Sequence, residues 1–350
     1  MIFDPILDIF RGKAVTIPPL DGAFRPNTRL DEAAVWTALS EIDNLAVRDG
    51  KVLATSGNAL FQVDAGSEPA LLQSLPAPIT ALAVSPSGEI AVGLETGRLA
   101  IGGHAVEAPA AINCITALAF DKEGALWLAN GSVRHSPSSW SADLMEKGSS
   151  GAIWKRDAGA AAFREIASGL AFPYGLHVES NGAVVVSESW RHRLVRIDSA
   201  GNRSAVVDHL PGYPARLSKA ADGGAWLSVF APRNRLIEFV LQENHYRHDM
   251  MAQVPQDYWI APALSSGRSF LEPLQCGAIK TMGIHKPWSP SRSHGMVVKL
   301  DARLQPVFAM HSRANGTRHG TCSAVEHGGT LLVGSKGGDC ILSIDTAEGP

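Results

Sequence analysis

A short apolar run, a polar turn ending in glycine and a second apolar run recur along this chain. ITALAVSPSGEIAVG from Ile79 aligns with ITALAFDKEGALWLA from Ile115. The pattern returns in NLAVRDGKVLATS from Asn44, GLHVESNGAVVVSE from Gly175, RLSKAADGGAWLSV from Arg216 and SAVEHGGTLLVGS from Ser323, making six copies. Such runs predict β-hairpins, because Asn, Asp or Ser beside Gly supplies the positive φ that the turn needs. A third strand follows, and most copies end on aspartate: ALFQVD to Asp64, GAIWKRD to Asp157, HRLVRID to Asp198, GMVVKLD to Asp301 and CILSID to Asp345. Only GRLAIGG in the second copy lacks it. A carboxylate there accepts a hydrogen bond from the backbone two residues on and opens the next turn, which is a structural role. ALLQSL from Ala70, SAVVDHL from Ser204 and PVFAMHS from Pro306 read as fourth strands.

Four strands repeated six times, with connections too short for helices, predict an all-β fold: a six-bladed β-propeller with four-stranded blades, residues 1–350 forming one domain. The sixth copy ends at Asp345 without a fourth strand, and AVWTALS from Ala34 precedes the first hairpin. That N-terminal strand is expected to close the last blade, with residues 1–30 as an arm against the outside. Two insertions interrupt the connection between second and third strands, 131–150 in blade three and 231–294 in blade five, so both should emerge on one face. RNRLIEFVLQENHYRHDMMAQV places Leu236, Ile237, Val240 and Leu241 at the spacing of an amphipathic helix. Tyr258, Trp259, Phe270 and Trp288 follow. Long aromatic loops at the mouth of a closed β-structure are read as a lid over the channel. Caps on strand edges or a dimer contact are the alternatives.

The composition fits this picture. Of 350 residues 45% are hydrophobic and 19% charged, enough for a large core and against disorder. The net charge of −3 and the lack of a basic run disfavour nucleic acid and anionic membrane as partners. No apolar run approaches the roughly 18 residues of a membrane helix. MIFDPILDIFRGK, with acids and no basic start, is a poor signal peptide, so a cytoplasmic location is expected. Cys114, Cys276, Cys322 and Cys340 form no CxxC pair and read as buried thiols. His135, His245, His248, His285 and His294, in or beside the insertions, show no zinc-site spacing. There is no GxSxG elbow, P-loop or dinucleotide fingerprint.

From Ala171 to Asp345 the chain resembles the strictosidine-synthase-like family. The segments that carry the resemblance are AFPYGLHVESNGAVVVSESWRHRLVRID, HLPGYPARLSKAADGGAWLSVFAPRNRLIEF, HGMVVKLDARLQPVFAMHS and SAVEHGGTLLVGS. That family is similar to the gluconolactonase and paraoxonase propellers, so the resemblance implies a six-bladed propeller with small-molecule chemistry at a channel mouth. It also implies calcium ligands at positions matching Asp43, Tyr174 and Ala215. Only Asp43 keeps a ligand type, with Thr80 and Thr116 as further oxygens. Since calcium takes six to eight oxygens, several of them anionic, calcium is possible but disfavoured. The catalytic glutamate of the plant synthase is implied just ahead of the blade-six hairpin. Thr321, Cys322 and Ser323 stand there instead, and Glu326 lies within the hairpin, so condensation by that route has no support.

The candidate chemistry is therefore a pair of carboxylates. Asp43 begins the innermost strand of blade one, and Glu188 ends the second strand of blade four on the insertion face. A carboxylate in a partly dry channel can act as general acid or base. For Glu188 a salt bridge to Arg191 or Arg193 is the competing reading. Tyr174, Asn130, Trp190, Trp140 and Trp259 are the candidate substrate-binding residues. Asn130 can also be a satisfied turn residue, and His177 a core imidazole. The expected function is hydrolysis of a lactone or ester, with a lyase reaction the related possibility. The alternatives are an inactive propeller that binds a metabolite and a scaffold for protein partners.

Overall fold

The computed structural model describes residues 17–265, 280–281, 284–285 and 293–346. Six four-stranded antiparallel sheets form the blades of a propeller. Their innermost strands are Ile42–Arg48, Ile79–Val84, Ile115–Phe120, Pro173–Val178, Gly212–Lys219 and Thr321–His327. Each begins one of the six sequence repeats. Every hairpin carries a glycine of positive φ at its turn: Gly50, Gly88, Gly124, Gly182, Gly223 and Gly329, between 73° and 85°. The turn aspartates act as expected at two places. Asp198 accepts from the amides of Ala200 and Asn202, and Asp301 from those of Arg303 and Gln305.

Blade six consists of Thr321–His327, Thr330–Ser335, Cys340–Asp345 and Ala34–Ala38. The last of these pairs antiparallel with the third strand, Ala34 opposite Ser343 and Ala38 opposite Cys340. Before it, Gly22–Phe24 and Arg29–Glu32 lie along Pro306–Ser312, the outer strand of blade five. Asn27 donates to the Ala309 carbonyl and accepts from the His311 amide, and Asp31 accepts from the Ser312 hydroxyl. Residues 1–16 of the expected arm lie outside the described residues.

Apolar side chains between neighbouring sheets supply the core, as the Val184, Val186, Ile153 and Trp127 cluster between blades three and four shows. Short polar side chains bridge blades near the channel. The Thr116 hydroxyl donates to the Pro173 carbonyl at 2.5 Å, Ser187 to Ala215 at 2.6 Å, and Thr321 to Val229 at 3.0 Å.

The blade-three insertion holds a helix at Trp140–Met145. That of blade five holds two helices, Arg235–Gln242 and Asn244–Gln253, where the sequence suggested one. The chain breaks at Glu243, whose ψ of 80° departs from the helical value. Leu144 and Met145 of the first insertion pack with Ile237, Val240, Met250 and Trp259 of the second, against Tyr213 and Phe230 of blade five. Phe270, Trp288 and the side chain of His285 lie outside the described residues. Among the described residues no helix is long and apolar enough to cross a membrane.

Candidate functional site at the channel mouth

Every innermost strand shifts register near its start, between Ile42 and Leu45, Ile79 and Ala81, Ile115 and Ala117, Pro173 and Gly175, Pro214 and Leu217, and Thr321 and Ser323. Such irregularities re-aim a side chain and are common beside active sites. Here they turn Asp43, Thr80, Thr116, Tyr174, Arg216 and Cys322 into one cavity of about 430 Å³. Trp140, Phe172, Trp190 and Phe230 wall one side, and Glu41, Glu95 and Lys336 also line it.

The floor is an ion cluster. Arg216, from blade five, crosses to Asp43 of blade one, its two terminal nitrogens each 3.2 Å from a carboxylate oxygen. The same guanidinium donates to the carbonyls of Asp43 at 3.2 Å, Cys322 at 3.3 Å and Thr80 at 2.6 Å. It also lies 5.0 Å from the centre of the Tyr174 ring. Lys336 Nζ stands 3.7 Å from Asp43. Burial alone would raise the Asp43 carboxyl, but Arg216 and Lys336 outweigh it and hold the group below its ordinary value, hence ionised. Asp43 in turn raises Lys336, which stays protonated. Burial pushes the Tyr174 hydroxyl up to about 12. It pushes the Cys322 thiol up to about 12 as well, with Asp43 adding to the effect. At neutral pH the floor thus presents proton donors and one fully engaged carboxylate.

The aromatic wall is built by packing. Phe172 and Trp190 stack at 4.4 Å, Trp140 meets Phe230 edge-on at 5.5 Å, and Trp140 tilts toward Trp190 at 6.2 Å. The Trp190 indole donates to buried Asp143 of the blade-three insertion at 2.8 Å. Glu95 accepts from the amide and hydroxyl of Ser138, which holds that insertion at the rim.

Four of the predicted site residues meet here: Asp43, Tyr174, Trp190 and Trp140. Three do not. Glu188 is fully buried and lies outside the cavity lining. Its carboxylate takes Arg191, Arg193 at 2.6 Å and the Ala171 amide at 2.8 Å, so the ion-pair reading describes it. Asn130 is also fully buried. Its side chain accepts from the amides of Asn113 and Cys114 and donates to the carbonyls of Ala111 and Ser132, leaving nothing for a ligand. Trp259 packs inside the insertion cluster and donates to the Val254 carbonyl.

Calcium does not fit this donor set. Among the described residues Asp43 is the one carboxylate on the floor, both its oxygens face Arg216, and Lys336 is a second cation beside it. Among the described residues no group of three or more His, Cys, Asp or Glu is placed to hold a metal. Arg216, Lys336, Cys322, Glu41, Glu95, Phe172 and Phe230 are cavity residues that sequence reasoning missed. The lone arginine in the apolar stretch Tyr213–Leu217 was the available signal, since a buried charge needs a partner of opposite sign.

No family model matches the chain. The strictosidine synthase-like 2 protein of Arabidopsis thaliana is 24% identical over 179 residues, which is 48% of this chain and 41% of that protein. The match therefore spans about two fifths of the relative's length. A gluconolactonase from Xanthomonas campestris superposes with a TM-score of 0.56 at 12% identity, over 89% of this chain and 87% of that one. A second candidate gluconolactonase gives 0.55 at 12% identity, over 89% and 91%. At such identities these structures speak to fold alone. The chain resembles the strictosidine synthase-like family and has the six-bladed propeller fold seen in gluconolactonase structures.

Proposed function

We propose that the protein is a small-molecule enzyme whose channel-mouth cavity takes an apolar, ring-bearing compound and hydrolyses a lactone or ester without a metal ion. The observation that carries this reading is an aromatic wall standing over a fixed cationic floor. Rings stack on Phe172, Trp190 and Trp140, while the Lys336 ammonium and the Tyr174 hydroxyl offer protons to a carbonyl oxygen. Tyr174 makes no hydrogen bond to another described residue. As water attacks the carbonyl carbon, the negative charge growing on its oxygen is met by these two donors, already in place. Glu41, whose side chain makes no hydrogen bond to a described residue, takes the proton from the attacking water. It returns that proton to the alkoxide that leaves. In this reading the two insertions act as a lid that excludes water from the aromatic side. None of the three cysteines described forms a disulfide, which suits a reducing compartment, and we place the protein in the cytoplasm.

A second reading, binding without turnover, is favoured by the state of the floor. Asp43 is locked to Arg216, and Tyr174 and Cys322 stay protonated, so none of the three exchanges protons near neutrality. A panel of lactones and aryl esters, run with added calcium and with chelator, separates the readings. Turnover that survives chelation supports the first, and turnover that requires calcium contradicts it. Ligand-induced melting shifts with no turnover support the second.

A further inference from the structure

Five oxygens converge on the Arg216 guanidinium: both carboxylate oxygens and the carbonyl of Asp43, the carbonyl of Thr80 and the carbonyl of Cys322. They come from blades one, two and six, and Arg216 comes from blade five. Three are backbone carbonyls held by the sheets, and two belong to an ionised carboxylate. Carbonyl and carboxylate oxygens arranged about one point are what a hard cation requires. Here a planar, delocalised, permanently charged group fills the ring from within the chain.

We propose that this ring is a cation site of the channel, occupied permanently by Arg216, so that the protein neither needs nor takes up a divalent ion there. Charge balance supports it. Arg216 and Lys336 already answer the single carboxylate, and a doubly charged ion would enter against two fixed positive groups. Backbone geometry supports it too. The register slips between Pro214 and Leu217, and this is the stretch that sends Arg216 across the channel. By touching residues of four blades the guanidinium fixes the height and tilt of Asp43 and ties the ring across its centre. A bound ion with ligands from those blades would do the same. Losing the side chain leaves an oxygen-lined hole around an ionised carboxylate, and that hole accepts a small cation from solution.

This inference holds whichever compound the cavity takes, and its test reads ion binding and melting rather than turnover. Full-length wild type and Arg216→Ala are freed of metal by chelation. They are then melted with guanidinium chloride or calcium chloride at low millimolar concentration, with sodium chloride and urea as controls. The wild type is expected to ignore calcium and chelator. Arg216→Ala is expected to melt about 5 °C lower or more, since one partner of a buried ion pair is gone. It should regain part of that loss with guanidinium or calcium and none with sodium or urea. An Arg216→Ala protein that melts like the wild type and responds to neither ion overturns the proposal. So does calorimetric binding of calcium to the wild type at one ion per chain, a measurement that stands however the variant folds.

Discussion

Glutamine in place of Glu188 separates a structural carboxylate from a catalytic one. In the wild type, one oxygen accepts from the Ala171 amide and Arg191, and the other from Arg193. Glutamine keeps one acceptor, enough to hold the Ala171 amide and with it the turn that carries Phe172 into the cavity wall. Its NH₂ then faces the Arg193 guanidinium, a donor against a donor, and the charge opposing both arginines is gone. Hydrogen bonds to charged groups contribute about 1.5–3 kcal/mol each. The Arg191 and Arg193 side chains are 40% and 30% exposed, so water takes over part of that, and a net loss of about 2 kcal/mol is expected. With roughly 2 cal/mol/K of unfolding entropy per residue, a chain of this size loses about 3 °C in Tm. Scanning calorimetry reads the shift, and steady-state turnover of any substrate found should stay within about threefold of wild type, because the carboxylate does not line the cavity. A loss of kcat of about a hundredfold or more at unchanged Tm would return Glu188 to the chemistry and contradict its purely structural role.

Three further outcomes follow from the same geometry. Lys336→Met should weaken binding of carboxylate- or carbonyl-bearing ligands about tenfold, the cost of one charged hydrogen bond, with little change in Tm; an unchanged Kd by titration calorimetry contradicts the donor role. Trp190→Phe keeps the stack on Phe172 but leaves Asp143 without its indole donor, and should cost about 2 kcal/mol in urea unfolding; unchanged unfolding removes this contact from the account. Burial, with Arg313 adding to it, depresses His311 from 6.5 to about 4, and burial with His311, His319 and Arg313 lowers neighbouring His294 well below its usual value. The unfolded chain therefore binds more protons in this window, and stability present above about pH 6.5 falls by roughly 3 kcal/mol from His311 alone as pH drops to about 4, with His294 adding to the loss; a Tm that is flat over this range, read at constant ionic strength, argues against buried neutral imidazoles.

The blades were legible because their signals are local. Alternating strands and a glycine at each hairpin turn can be read within about a dozen residues, as at Gly88 and Gly182, both of which adopt positive φ. The partner for the unfinished sixth blade was also visible, since AVWTALS had no other sheet to join. The site was less legible because side-chain aim depends on register. The family resemblance implied Ala215 as the channel position of blade five, yet the irregular pairing between Pro214 and Leu217 hands that place to the next residue, Arg216. Lys336 was hidden in the short glycine-bearing turn between the second and third strands of blade six, where no alternation shows which way a side chain points. Glu188 misled for the opposite reason. It sits at the end of a second strand on the insertion face, but the arginines three and five residues on, both visible in the sequence, turn its carboxylate away from the cavity.

The proposed function requires that small molecules bind at the channel mouth, between the aromatic wall and the Asp43–Arg216–Lys336 floor. The most direct measurement is a crystal structure of the wild type soaked with a panel of aromatic carboxylic acids and lactones in chelator-treated buffer. Ligand density is expected stacked on Phe172 and Trp190, with an oxygen within about 3.2 Å of Lys336 Nζ or the Tyr174 hydroxyl, and the Arg216–Asp43 pair intact. Ligand seated instead at the opposite end of the propeller, in the pocket lined by His177, Glu179 and Lys219, or a metal ion in place of the Arg216 guanidinium, would contradict it.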